Sequence, residues 1–354
     1  MVSRAERRRA AKLAKKTSVN DDPVSLKAAV HAHYKSGDLT GAKKLMTRLL
    51  RHTPQDPAAL SFAGMLASET GDLYGAIEYY STAHALKPSD ELNGVIIETL
   101  QAAMHAALTP ATSTDVIELA ERLLVRMPQS LEAVSLQSIA LTHCGRTDEA
   151  EALLGMQTLV EIRDLDPPEG WQSMEAFNKE LAEAISSDSS MAVPDKDHPT
   201  YHNRHLKITA PFDIAQPGPI DALTSLIEAS VNDYRASRST LDHPFLTRWP
   251  ASSALEAWGT LLEGEGTVDS HIHLEGYLGM VYYPELPPEV AQGQGWLELG
   301  RPPDDFPLQV DAITQLIEPA PGRLVMFPGY LFHRTTPFNS QHRRISVAYD
   351  VVVR

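Results

Sequence analysis

The N-terminal part of the chain repeats itself at a spacing of 34 residues. Six residues each recur 34 positions later: Gly37, Asp38, Leu39, Gly41, Ala42 and Pro54. A blurred third copy covers residues 119–128, and a fourth begins at Gly145. Glycine can end a helix in a left-handed conformation, and proline stops the helix that precedes the next unit. The spacing therefore predicts stacked helical hairpins, each burying its apolar face against its neighbours.

This segment, roughly residues 24–158, resembles the tetratricopeptide repeat, whose period is also 34 residues. The resemblance implies a groove that binds a peptide or protein partner. Three or four units can also form only a scaffold or a dimer surface, and a generic stack of helical hairpins is the alternative interpretation.

Charge divides the chain unevenly. The formal net charge is −15, yet residues 1–18 carry a net charge of +6, which leaves −21 on the remainder. We expect residues 1–20 to form a disordered basic tail. The acidic remainder argues against nucleic acid as the main partner, because phosphate binding needs a basic face. No apolar run is long enough to span a membrane, no secretory signal is evident, and Cys144 is the single cysteine, so we expect a cytoplasmic protein.

After residue 200 the pattern changes from helical to strand-like. An amphipathic helix is predicted at residues 220–234 and a shorter one at 255–262. Short apolar runs between glycines and prolines follow at residues 278–283, 296–299, 324–327 and 345–353. Several short strands after helices predict an antiparallel barrel or sandwich with helices packed outside it. We therefore divide the chain into a tail at 1–20, helical repeats at 21–160 and a β-domain at 161–354.

Residues with metal-binding side chains cluster in the β-domain. His271, His273 and Glu275 alternate, so in a strand all three would point to one face. Two imidazoles and a carboxylate aimed at one point suit a divalent transition metal. A short strand then runs into a Pro-Gly turn, after which a new strand delivers His333.

Arg344 and Ser346 follow His333 on a strongly apolar strand and share one face of it. The order His-x-acid, His and Arg-x-Ser resembles the 2-oxoglutarate/Fe(II)-dependent oxygenase superfamily, whose fold is a double-stranded β-helix, or jelly-roll. A bacterial branch often found behind tetratricopeptide repeats is similar over residues 205–354. It shares a His-x-His pair (271–273), a Val-Tyr-Tyr strand (281–283), a Gly-Trp-x-Glu-x-Gly strand (295–300) and a Phe-Pro turn that ends in His-Arg (327–334).

The resemblance implies a role for each matching residue. His273, Glu275 and His333 would bind Fe(II), and Arg344 with Ser346 would hold the distal carboxylate of the co-substrate 2-oxoglutarate. Tyr283 has the strand parity of His271, which favours it over Tyr282 as a further contact to the co-substrate.

The metal ligands have a second interpretation. The bacterial branch does not reliably place an acid where Glu275 stands, and it keeps the first histidine of the pair. The set His271, His273 and His333 is therefore the alternative ligand set.

The resemblance also implies the chemistry, which is hydroxylation by molecular oxygen of a peptide or protein side chain or of a small molecule. Two other functions remain open at this stage. One is a cupin-like metal-binding protein or a 2-oxoglutarate-independent dioxygenase. The other is a repeat-based adaptor with an inactive barrel.

Overall fold

The computed structural model describes residues 19–89, 113–194, 205–273, 275–304 and 310–354, together with residues 91–92, 94–96, 98–99, 102, 306 and 308. The predicted basic tail lies outside the described residues, apart from its last two positions. The chain divides between Leu136 and Gln137 into two compact units.

The N-terminal unit is helical in its described parts. Its helices are α1 (Pro23–Ser36), α2 (Leu39–His52), α3 (Pro57–Glu69), α4 (Leu73–Leu86) and α5 (Ser113–Arg126), and α6 (Leu131–His143) crosses the division between the units. The first residues of α1 and α3 are 34 positions apart, and so are those of α2 and α4. The repeat in the sequence thus coincides with a repeat of helix boundaries.

The recurring residues build one type of loop twice. Gly37 and Gly71 adopt the left-handed conformation, with φ of 83° and 77°, which glycine reaches without a steric penalty. The next residue, Asp38 or Asp72, caps the following helix, because its carboxylate accepts a hydrogen bond from the backbone amide three positions later. Glycine at that position gives the capping carboxylate room. A Cβ on Gly41 would lie 2.4 Å from Oδ2 of Asp38.

The C-terminal unit combines short helices with a curled antiparallel sheet. Its helices are α7 (Thr147–Leu154), α8 (Met156–Leu159), α9 (Met174–Ser186), α10 (Pro219–Ser237) and α11 (Pro244–Thr247). Its strands are β1 (Glu161–Asp164), β2 (Leu206–Ile208), β3 (Ser253–His271), β4 (Gly276–Glu285), β5 (Leu297–Leu299), β6 (Gln315–Ile317), β7 (Arg323–Pro328) and β8 (His333–Val353).

Strand β8 organises the sheet. It pairs with β3 along almost its whole length. On its other side it pairs with β5 through residues 333–335 and with β4 through residues 345–352. All eight strands belong to one curled sheet: the path β1-β7-β4-β8-β3-β2 runs through it, and β6-β5 branches from the first residues of β8. A curled antiparallel sheet built around long shared strands is consistent with the double-stranded β-helix, so the predicted fold class is confirmed.

The helix predicted at residues 255–262 is wrong, because these residues lie in β3. Every residue from Ser253 to Leu262 has a partner on β8. Leu255, Trp258 and Leu262 have helical spacing, but pairing with a strand distant in sequence overrides this local pattern.

Helix α9 packs against one face of the sheet. Helix α9 buries Phe177, Leu181 and Ile185, and the Tyr282 hydroxyl on β4 donates a hydrogen bond of 2.5 Å to Asn178 Oδ1 on this helix. In the described parts of the chain, every helix is too short or too polar to span a bilayer.

Candidate metal centre

Two of the predicted metal ligands are neighbours through strand pairing. His271 is the last residue of β3 and His333 is the first residue of β8, and the two residues are direct partners in the antiparallel ladder. Side chains of directly paired residues lie on the same face of a sheet. The two imidazole ring centres are accordingly 4.3 Å apart.

The third imidazole comes from the turn that follows β3. The Nε2 atoms of His271 and His273 are 3.2 Å apart, and one nitrogen from each of His271, His273 and His333 lies within 4.8 Å of the other two. Nitrogens about 2.1 Å from one ion are roughly 3 Å apart when the angle between them is near 90°. The three imidazoles are therefore spaced for one metal ion.

Hydrogen bonds fix the tautomer of each ring. The Nδ1 atoms of His271 and His333 lie 2.7 Å and 3.1 Å from the carbonyl oxygens of Asp269 and Leu331. Nδ1 of His273 lies 2.8 Å and 3.0 Å from the two carboxylate oxygens of Asp350. Because these oxygens can only accept, each Nδ1 carries the proton and each Nε2 presents a lone pair.

This arrangement fits a bound cation. Two lone pairs that face each other across 3.2 Å repel unless a proton or a metal ion lies between them. Burial holds the pKa of His333 well below its usual range, and the neighbouring His271 and His273 lower it further. His333 is thus held in the neutral form that binds metals.

Glu275 lies outside this cluster. Strand β3 ends at His271, so the two-residue alternation expected over residues 271–275 does not continue, and the Glu275 side chain is exposed in the turn before β4. Among the described residues, the group with the spacing of a metal site consists of the three histidines.

Arg344 lies buried across the same cavity from the histidines. Its guanidinium donates hydrogen bonds of 3.2 Å to the Gly295 carbonyl oxygen and to Ser346 Oγ. No carboxylate among the described residues forms an ion pair with it. Burial lowers the pKa of Arg344, yet a guanidinium stays charged in proteins. A buried charge without a counter-ion is costly, so this position suits a bound anion.

Tyr283 contributes a second polar group, next to Arg344. Its ring centre is 5.2 Å from the Arg344 guanidinium carbon. Its hydroxyl is buried without a well-formed hydrogen bond to a described residue, although it lies close enough to the Arg344 guanidinium for that cation to lower its pKa. Burial raises the pKa of Tyr283 to about 12, so the hydroxyl keeps its proton and can donate. Tyr282, by contrast, faces α9.

A cavity of about 90 Å³ connects these groups. The three histidines, Tyr283, Arg344 and Ser346 line it, together with apolar side chains that include Val281, Leu297 and Phe327. The structure therefore brings the predicted residues to one cavity, except Glu275. This cavity has three imidazoles on one side and the buried Arg344 guanidinium on the other, an arrangement that suits a metal ion beside an anionic ligand.

Two further residues at the site, Asp350 and Thr260, were not predicted from the sequence. Asp350 is the one acid within the apolar run 345–353, and an isolated acid in such a strand is the signal that could have identified it. Thr260 on β3 makes a hydroxyl–hydroxyl hydrogen bond of 2.6 Å with Ser346 and also lines the cavity. A threonine in a strand carries no such signal.

Comparison with known proteins agrees with this geometry. Residues 256–350 match a family model described as "Putative 2OG-Fe(II) oxygenase". This stretch includes the three histidines, Tyr283, Arg344, Ser346 and Asp350. No functionally curated protein matches the sequence. The match to this oxygenase family model thus falls within the C-terminal unit.

Solved structures similar to this chain include the following three. A Pseudomonas putida prolyl-4-hydroxylase is 14% identical, with 56% of this chain and 95% of that chain covered and a TM-score of 0.40. A Burkholderia pseudomallei oxidoreductase of the 2OG-Fe(II) oxygenase family is 9% identical, with coverage of 58% and 90% and a TM-score of 0.36. HygX from Streptomyces hygroscopicus, with nickel and 2-oxoglutarate bound, is 12% identical, with coverage of 57% and 86% and a TM-score of 0.37.

Proposed function

We propose that this protein is a 2-oxoglutarate/Fe(II)-dependent oxygenase whose iron is held by His271, His273 and His333. The observation that carries the proposal is the convergence of three Nε2 lone pairs on one side of a cavity whose other side holds the buried Arg344. When bound there, Fe(II) and 2-oxoglutarate would activate molecular oxygen, with one oxygen atom entering a C–H bond of the substrate and the other entering succinate as 2-oxoglutarate loses carbon dioxide.

The ligand set differs from the common facial triad of two histidines and one carboxylate. Three imidazoles still leave coordination positions open on one side of an octahedral ion. The set His273, Glu275 and His333 is the alternative. It would require the turn after His271 to bring the exposed Glu275 side chain inward.

Arg344, Ser346 and Tyr283 are the residues that we assign to 2-oxoglutarate. The planar guanidinium can bind a carboxylate through two parallel hydrogen bonds, which lysine cannot do. Ser346 holds one guanidinium nitrogen in place and offers its own hydroxyl. The Tyr283 hydroxyl donates to the same carboxylate. The apolar lining excludes water, which strengthens each of these contacts.

A spectroscopic titration tests this function. The protein is loaded with Fe(II) under anaerobic conditions and then receives 2-oxoglutarate. We expect a weak visible charge-transfer band in the wild type, and no band at the same concentrations in Arg344→Ala. The adjacent Arg343→Ala is the matched control, because Arg343 pairs with Glu285 outside the cavity, and it should retain the band.

Two results of this titration would point elsewhere. A wild-type protein that binds Fe(II) but gives no band with 2-oxoglutarate would indicate a cupin-like metal protein or an oxygenase of another type. A band that survives unchanged in Arg344→Ala would remove Arg344 from the co-substrate site.

The helical unit is proposed to be a tetratricopeptide-like partner-binding module. Two features support this: the 34-residue recurrence of helix boundaries and the repeated Gly-Asp loop. Such a module favours a peptide or protein side chain as substrate. Succinate release stimulated by candidate peptides, measured in the full chain, tests this part. Stimulation by small metabolites alone would contradict it.

A further inference from the structure

We propose that Asp350 is a positioning residue for the metal centre. Through His273 it supplies the negative charge that a directly bound carboxylate supplies in the common facial triad. This inference rests on the proposed function, since it takes the three histidines as the metal ligands.

The contact between Asp350 and His273 is short, and its carboxylate end is buried. Both carboxylate oxygens lie within hydrogen-bond distance of His273 Nδ1, at 2.8 Å and 3.0 Å. Asp350 is 4% exposed. Within the described part of the chain, His273 is the one side chain that pairs with this carboxylate. Burying a carboxylate is costly unless it is paired, so the strand tolerates this acid because of His273.

Gly276 leaves the space that this carboxylate occupies. A Cβ on Gly276 would lie 2.4 Å from Asp350 Oδ2. Gly276 is not among the glycines with positive φ, so its backbone conformation does not demand glycine. The absence of a side chain at Gly276 leaves room for the Asp350 carboxylate to contact His273.

The three ligands differ in the partner of Nδ1. His271 and His333 donate to the neutral carbonyl groups of Asp269 and Leu331, whereas His273 donates to a carboxylate. Hydrogen bonds to charged acceptors are about twice as strong as neutral ones. A carboxylate partner also makes an imidazole a more basic ligand and fixes its orientation. Asp350 therefore makes His273 the strongest electron donor of the three.

Co(II) is the probe for the test, because it is stable in air and reports its ligands through visible d–d absorption. Metal-free wild type, Asp350→Asn, Gly276→Ala and Glu256→Gln are titrated with Co(II). Asparagine keeps the size of the side chain and one acceptor oxygen, so it removes chiefly the charge. Glu256 is the cross-strand partner of Asp350 and pairs with Arg354, which makes it the matched acid-to-amide control.

We expect Asp350→Asn to weaken Co(II) binding by about 10- to 100-fold, the usual effect of losing such a partner. We also expect it to shift the d–d absorption. Gly276→Ala should weaken binding in the same direction, because its methyl group displaces the carboxylate. Glu256→Gln should bind Co(II) like the wild type. Near-ultraviolet circular dichroism of the metal-free variants separates a local effect from misfolding, and Gly276→Ala decides the question should Asp350→Asn not fold.

Wild-type affinity and an unchanged spectrum in folded Asp350→Asn would overturn the inference and leave the proposed function standing. Equal weakening in Glu256→Gln would also overturn it, since any loss of charge in this sheet would then act alike. A wild type that binds neither Co(II) nor Fe(II) would overturn the proposed function together with the inference.

Discussion

His271 and His333 are direct partners in the antiparallel pairing of β3 and β8. Backbone pairing therefore sets the spacing of two ligands before any metal binds. The register of β3 against β8 shifts between Gly266 and Val268 and again between Val268 and His271. Because a slip of one residue turns a side chain to the other face of a sheet, these irregularities decide that His271 faces the cavity.

Removal of the Tyr283 hydroxyl should stabilise the ligand-free protein but weaken the binding of 2-oxoglutarate. The hydroxyl is buried without a well-formed hydrogen bond to a described residue, so Tyr283→Phe should raise the free energy of unfolding of the ligand-free protein by about 1 kcal/mol. The same change should weaken 2-oxoglutarate binding by about tenfold, since the co-substrate loses a donor. Urea unfolding and anaerobic titration measure the two effects.

Tyr282→Phe is the matched control. It removes the hydrogen bond to Asn178 and should cost about 1 kcal/mol of stability, with 2-oxoglutarate affinity unchanged. A Tyr283→Phe variant that is less stable without the co-substrate and binds it normally would show that the hydroxyl has a structural partner instead.

Glu132 in α6 is a buried acid that should make the free energy of unfolding depend on pH. It is 3% exposed, and Oε1 has no partner among the described residues. Burial raises its pKa above the ordinary value of 4.5, so folding favours the protonated form. The contribution of this group to stability is present below that ordinary value and is lost as the pH rises through the raised pKa.

We therefore expect Glu132→Met to raise the free energy of unfolding by about 1 kcal/mol or more at pH 7 and to have little effect near pH 4. Chemical denaturation at both pH values measures this. Glu118→Met, at an exposed position of α5, should show no such difference between the two pH values. An unfolding free energy that falls at pH 7 in Glu132→Met would mean that the buried carboxylate is stabilised as an anion.

Two glycines with positive φ should respond differently to alanine. Gly293 and Gly300 both have positive φ, 81° and 89°, but a Cβ on Gly293 meets open space, whereas one on Gly300 would lie 2.2 Å from the Ile313 carbonyl oxygen. We expect Gly293→Ala to cost about 1 kcal/mol and Gly300→Ala to cost a further 1–3 kcal/mol from overpacking. Equal losses in thermal unfolding would contradict the steric argument.

Local patterns in the sequence predicted much of the site. The two-residue spacing of Arg344 and Ser346 predicted that both lie on one face of a strand, and the two side chains are in contact. The Pro-Gly turn correctly predicted that a new strand begins near His333. The limits of β7 and the apolar half of β8 also follow from runs between glycine and proline. These features depend on a few consecutive residues, so a single sequence is sufficient to reveal them.

The features that were missed depend on contacts between distant segments. The position of Glu275 follows from the end of β3 at His271, which pairing with β8 determines. Residues 255–262 form a strand for the same reason. Asp350 becomes part of the site only because the turn that carries His273 packs against β8. In each case the two residues in contact lie too far apart in the sequence for a local pattern to include both.

Fe(II) affinity in His271→Ala and Glu275→Ala, measured anaerobically in the full chain, tests the ligand assignment most directly. Glu275→Ala should bind Fe(II) as the wild type does and should give the same band with 2-oxoglutarate, because its side chain is exposed. His271→Ala should lose most of its Fe(II) affinity, because one of three converging nitrogens is gone. Loss of Fe(II) in Glu275→Ala with retention in His271→Ala would contradict the three-histidine centre and establish the set His273, Glu275 and His333.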